Sequence, residues 1–228
     1  QTYDQLWKKV YKLADEDDLP KSALVETRRI YDKAKAEHNV PQMMDAYFMM
    51  MSFRGYISPD SIPMDVKELE AWAESPEWEA HEKAVLYSVL GGVHINKDFE
   101  KGDHYLKLSL KDSLTLIDYP TSKMKPLVRS YASVGDNLLH FLAGRAIELW
   151  ERNQWGTEAN KARQAISQTY QMLARQYERK GNRAAWILTA LDAYPDANEE
   201  QLRQWIAEYG DLDVCAELYL RLVKKHDL

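Results

Sequence analysis

The sequence predicts an all-α protein built of stacked antiparallel helical hairpins, with about ten or eleven helices. Three observations carry this reading. Apolar residues recur at three- and four-residue spacing through nearly the whole chain. The breaks between those stretches are short and marked by Pro, Gly, Asn or Asp. No stretch alternates polar and apolar residues with the period of two that a half-buried strand requires.

Each element has its own signal. Tyr3, Leu6, Val10 and Leu13 form one helical stripe. The next helix opens at Leu19-Pro20, where a proline costs nothing because its missing N–H would have no partner. It carries Leu24, Thr27, Ile30, Tyr31 and Ala34. His38 to Pro41 reads as a turn, after which a third helix holds Met43, Met44, Tyr47, Met50 and Met51. Gly55 to Pro63 reads as a loop, and Asp65 starts a short helix through Trp72. Ser75-Pro76-Glu77 combines an N-cap, a first-turn proline and a carboxylate favoured by the helix dipole. The helix it introduces holds Trp78, Val85, Leu86, Val89 and Leu90.

Lys97-Asp98 is a turn, followed by a helix from about Asp103 to Leu116. Asp118 to Pro126, with two prolines, is an irregular connection. Four clear helical stretches follow, centred on Leu138–Leu149, Ala162–Tyr177, Ile187–Leu191 and Leu202–Ile206, and Val214–Leu222 supplies the last. Gly181 and Gly210 stand where C-terminal caps belong. The whole of residues 1–228 is expected to form a single helical domain.

One hairpin carries a repeat signature. Leu90-Gly91, then Asp98 to Gly102, then Tyr105 to Leu110, resembles a tetratricopeptide hairpin, in which small residues allow paired helices to approach and aromatics fill the gap. Gly102 and Ser109 replace the usual alanines, the turn is one residue short, and no second clean copy is found. The architecture expected is therefore a tetratricopeptide-like α-α superhelix.

Composition excludes several functions. Thirty Lys and Arg against 36 Asp and Glu leave a net charge of -6, with no basic stripe, which disfavours nucleic-acid binding. No run of eighteen apolar residues exists to span a membrane. A single cysteine permits no internal disulfide and no cysteine-based zinc site.

The search for catalytic chemistry comes out negative: no catalytic, cofactor or metal residue is expected. Cys215 sits on an apolar helix face with Val214, Leu218, Tyr219 and Leu222, which reads as a buried, inert thiol. Asp136 and His140 share a helical face four residues apart, but without a third ligand they read as a structural pair. His81-Glu82 lacks the second histidine of a zinc-protease helix. Gly91-Gly92 is followed by no Gly-Lys-Ser/Thr and is no phosphate loop. Glu68 with Glu70, and Glu199 with Glu200, read as solvated surface carboxylates. His94 and His104 flank the Asp98 turn and could meet across the hairpin, although two partly exposed polar residues are the commoner reading. Most of the seven tryptophans lie on apolar stripes as gap-fillers. Trp155 is the exception, in the polar run Arg152 to Gly156, and is expected on an exposed loop. The candidate interaction surface is thus Trp155, His94 and His104.

Three stretches together carry a family resemblance. The first is Tyr3-Asp4-Gln5-Leu6-Trp7-Lys8-Lys9-Val10, continuing through Asp18 to Leu24 and Ile30 to Ala34. The second is Asp136-Asn137-Leu138-Leu139-His140-Phe141-Leu142, with Arg145-Ala146 after it. The third joins Leu188 to Asp192, Tyr209-Gly210-Asp211 and Val214 to Leu220. From Tyr3 to Leu220 the chain resembles the N-terminal helical region of the large alpha-2-macroglobulin-type proteins of Bacteroides and relatives. The resemblance implies a periplasmic or cell-envelope protein with a signal peptide removed before Gln1, and macroglobulin domains further along a much longer chain. It implies no protease-trapping residue here, since that activity belongs to the bait region and thioester. Cys215 is followed at the third position by Leu218, which has no amide for a thioester.

The function expected is therefore non-catalytic: an N-terminal docking module, its partner the downstream macroglobulin domains or another envelope protein. The competing reading is a helical glycan-binding envelope protein, motivated by the tryptophans. A hydrolase using Asp136 and His140 is a remote third.

Overall fold

The structure is a computed structural model that describes residues 1–58, 62–111 and 138–226. Among these residues there are eleven α-helices and no strand, so the fold is all-α. Contacts divide the chain into two compact units, and the division falls within one helix, between Leu142 and Ala143.

In the first unit, α1 (Tyr3–Tyr11) starts from a capping box. The Thr2 hydroxyl accepts from the Gln5 N–H, and the Gln5 side chain accepts from the Thr2 N–H. A single wide π-turn, Lys12–Glu16, ends it. α2 (Pro20–Ala36) has its proline in the first turn, and α3 (Val40–Ile57) is capped by the Asn39 side chain, which accepts from the Gln42 N–H. These two helices form the most intimate pair of the first half. Ile30, Ala34, Met43, Tyr47 and Met50 are buried between them and their neighbours. The Trp7 indole donates to the Gln42 side chain at 2.7 Å and so ties α1 to α3.

The loop expected over Gly55 to Pro63 is much shorter than the sequence reading. α3 continues through Gly55 to Ile57, and α4 (Ile62–Glu74) already includes Pro63. A lone glycine costs a helix only about 1 kcal/mol, which packing overrides. The stop comes from Pro59: Ser58, the residue before it, is extended, as proline demands of its predecessor.

α5 (Ala80–His94) is capped by Glu79, not Ser75. Glu82 accepts from the Glu79 N–H at 2.8 Å and completes a capping box, whereas the Ser75 hydroxyl only closes a local turn with the Glu77 N–H. α6 (Phe99–Ser109) begins four residues earlier than expected because Asp98 is its N-cap, accepting from the Lys101 N–H. Its expected continuation over 112–116, the connection from Asp118 to Pro126, and Asp136 lie outside the described residues.

α5 and α6 approach very closely. A methyl group on Gly102 would stand 2.4 Å from the Ile95 Cα, and one on Gly91 would stand 2.5 Å from a Leu106 methyl carbon. The small residues that resembled a tetratricopeptide hairpin therefore do allow the helices to touch.

α7 (Leu138–Glu151) contains the division between the units. The second unit continues with α8 (Ala159–Lys180), α9 (Arg183–Ala193), α10 (Glu199–Tyr209), a 3₁₀ turn at Asp213–Cys215 and α11 (Ala216–His226). α8 ends at Gly181, whose φ of 67° is the left-handed cap that glycine adopts at least cost. Gly210 differs from the expectation: it closes α10 in the right-handed region, at φ -64°. The core of this unit packs Ile187, Ala190, Leu202, Cys215, Leu218 and Leu222. Tyr219, expected on the same face, is 52% exposed.

Candidate functional site

A concavity lies in the second unit, between α8 and the Tyr194–Asn198 turn that joins α9 to α10. It measures about 640 Å³. Local chemistry builds it. The Asn182 side chain caps α9 by accepting from the Ala185 N–H, and Asn198 caps α10 by accepting from the Gln201 N–H. Between these helices, Pro195 prevents α9 from continuing, and the turn opens over α8.

Aromatics make the floor and one wall. Trp186 on α9 meets Trp205 on α10 edge to face, with centroids 5.4 Å apart and planes at 87°. The other side of Trp186 stacks on Tyr209 at 5.1 Å. Tyr194, 42% exposed, leans on Trp205 at 6.2 Å. The opposite wall is the polar side of α8, where Gln171, Arg175 and Glu178 are spaced one turn apart.

An arginine holds the assembly together. Arg183, at the start of α9, makes a bidentate pair with Asp211 at 2.8 and 2.9 Å and donates to the Glu208 carbonyl at 2.8 Å. It also lies over the Tyr209 ring, 5.1 Å from the centroid. The guanidinium holds the Asp211 carboxyl below its usual range, and the carboxylate in turn raises the arginine. Both groups are solvated, so their role is to orient Tyr209, and through it Trp186.

No family model, curated protein or solved structure matches the chain. The reading of the cleft rests on its own chemistry.

The residues singled out from sequence are scattered. Trp155 is 87% exposed, in the turn between α7 and α8 where Gly156 takes a φ of 112°. His94 and His104 lie in the first unit, apart from any cleft described here. Each ring neighbours Tyr105, at 5.9 and 5.8 Å. His94 is a structural partner: its Nε2 is 2.9 Å from Glu70, which also receives Lys101 at 2.5 Å. Glu70 is thus no solvated carboxylate. It links α4 to α5 and α6, and Lys101 and His94 together lower its pKa. Proximity in sequence to Glu68 concealed this, because its partners lie on other helices.

His140 is partly buried, and desolvation lowers its pKa and favours the neutral ring. Cys215 is buried in the core of the second unit, as an inert thiol should be. Among the described residues no three His, Cys, Asp or Glu side chains converge as a metal site requires. Nor is any described helix long and apolar enough to cross a membrane.

Sequence reasoning counted Trp186 and Trp205 among the gap-filling tryptophans and missed Tyr194, Arg175 and Glu178. Their signal was weak but present: Tyr194-Pro195-Asp196 is a turn bearing an aromatic, and Gln171, Arg175 and Glu178 form the polar stripe of an amphipathic helix.

Proposed function

We propose that the chain is a non-catalytic helical docking module whose contact site is the cleft between α8 and the Tyr194–Asn198 turn. The observation that carries this is the combination of an aromatic floor, Trp186 and Trp205, with a polar rim of Gln171, Arg175, Glu178 and Asn198. An amphipathic cleft of this kind holds an apolar side chain while its rim bonds the polar groups around it. The resemblance to alpha-2-macroglobulin-type proteins supplies the context: an N-terminal module exported to the periplasm or envelope, docking against downstream domains of its own chain or a neighbouring envelope protein.

Two measurements test these statements separately. A photo-crosslinking amino acid at position 194 should yield adducts with a protein, and these should be lost on Arg175→Glu. Adducts insensitive to that change overturn the cleft as the contact site. For the context, fractionated native cells are blotted with an antibody to this domain. A band far above 26.6 kDa in the envelope supports the parent, and one near 26.6 kDa in the cytoplasm overturns it.

The glycan reading draws on Trp155, whose ring is 87% exposed as a sugar-stacking platform would be. In the cleft itself it finds less support, because one face of Trp186 is already covered by Tyr209. Melting temperatures unchanged across a panel of polysaccharides would end it.

A further inference from the structure

α11 (Ala216–His226) carries two apolar stripes, and the core of the second unit takes up only one of them. Leu218 and Leu222 are buried against that core. Tyr219, Leu220 and Val223 are 52%, 54% and 56% exposed, and Ala216 is exposed beside them. Positions 216, 219, 220 and 223 have the i, i+3, i+4, i+7 spacing of a helix-packing face. At about 100° per residue they fit within about 100° of the helix surface, roughly 130° around from Leu218 and Leu222. Among the described residues, no other helix has three large apolar side chains so exposed. A single exposed leucine is ordinary, but a continuous stripe marks a contact surface. None of these four residues lines the cleft between α8 and the Tyr194–Asn198 turn.

The charges beside the stripe say what covers it. Glu217 and Lys224, both exposed, border it on the same side, two helical turns and about 10.5 Å apart. Neither forms an ion pair with another described residue, whereas in the same unit Asp211 pairs with Arg183 and Glu199 with Arg203. A two-fold axis perpendicular to α11, passing midway between Glu217 and Lys224, lays the helix antiparallel on a copy of itself. It brings each Glu217 against Lys224 of the second copy, so that both charges are matched twice over. The same axis sets Leu220 against Leu220 and Tyr219 against Val223. A parallel arrangement does not bring the two charges together, because it faces opposite borders of the stripe.

We propose that α11 pairs antiparallel with α11 of a second copy of this chain, through Ala216, Tyr219, Leu220 and Val223 with Glu217 and Lys224 as reciprocal ion pairs. Half-exposed side chains of this size offer on the order of 300 Å² of apolar surface per copy, under the roughly 800 Å² of a stable complex. The pair is therefore weak, and it forms where copies are concentrated or held side by side.

Sedimentation velocity of the whole chain tests this. The mass should be 26.6 kDa at low micromolar concentration and should approach twice that value at several hundred micromolar. Leu220→Glu should hold the chain at the monomer mass throughout, with the melting temperature of the dilute protein unchanged. Glu217→Lys and Lys224→Glu should each weaken self-association by about tenfold, since each turns two attractive contacts into two repulsive ones. Mixed together, these two variants should pair with each other at least as well as the original chain does with itself, because both contacts are again between opposite charges.

A mass of 26.6 kDa at every concentration would overturn the proposal. So would a dimer that survives Leu220→Glu, which would place the contact on another surface. A mixture of the two charge variants that remains monomeric would overturn the antiparallel register. Binding of anionic lipid vesicles by a chain that never self-associates would assign the stripe to a membrane surface instead.

Discussion

Gly102 shows how much one hydrogen atom in place of a methyl group can decide. A Cβ there would meet the backbone of Ile95 and not the flexible end of a side chain, so the clash can be relieved only by moving a helix. Gly102→Ala should therefore destabilise the first unit by about 3 kcal/mol, even though alanine is the better helix former. Thermal melting by circular dichroism checks this, and an unchanged midpoint would mean that the α5–α6 contact is not as close as described. Gly181 is a different case, with open space around it but a left-handed backbone, so Gly181→Ala should cost only about 1 kcal/mol. Glu70 adds a pH dependence. Its pKa is lowered from the usual 4.5, mainly by Lys101 and then by His94, so its stabilisation is present above about pH 4.5. It is lost as pH falls through the lowered value. Glu70→Gln should flatten the acid limb of a melting-temperature profile, and a limb of unaltered slope would remove Glu70 as its source.

At the scale of the element, α9 and α10 each start from an asparagine cap, and the helices of the second unit pack through buried apolar stripes. Asn198→Ala deletes the bond to the Gln201 N–H at the start of α10 and should cost about 1 kcal/mol. Leu218→Ala removes a fully buried side chain from α11 and should cost about 2–5 kcal/mol, measured by urea unfolding. A smaller loss would mean that α11 packs loosely and that its burial here overstates its contribution. These elements also show where sequence reading succeeds. Periodicity located every described helix, because the apolar stripe is a local property of the chain. It misplaced their ends at Ser75, Asp103 and Gly55, where competing caps or a proline a few residues away settle the boundary. Asp98 and Glu79 won because each accepts hydrogen bonds from, or is reciprocally capped by, the first turn of its own helix.

At the scale of the whole molecule, the buried thiol gives a direct measure of opening. Cys215 is 3% exposed within the α9–α11 core, so it should react with an aromatic disulfide reagent only when that unit unfolds. Labelling should be slow in buffer and rise with urea in step with loss of helicity. Fast labelling of the folded protein would show that α11 frays from the core. Trp155, by contrast, is exposed, and Trp155→Ala should leave the melting temperature unchanged within about 0.5 kcal/mol.

The all-α class, the inert setting of Cys215 and the exposure of Trp155 could all be derived from the chain alone. Each depends on residues close together in sequence: a stripe, a neighbouring run of apolar side chains, a polar turn with a glycine. The cleft could not be read that way. Trp186, Tyr194, Trp205 and Arg175 are spread over three helices and a turn, and each looks ordinary in its own segment. Only packing decides that the polar stripe of α8 faces an aromatic corner, that Tyr209 covers one face of Trp186, and that Glu70 finds its partners on two other helices. Helical periodicity specifies which face of each helix turns inward, but not which face of another helix it will meet, because that choice is made by contacts between residues far apart in the chain.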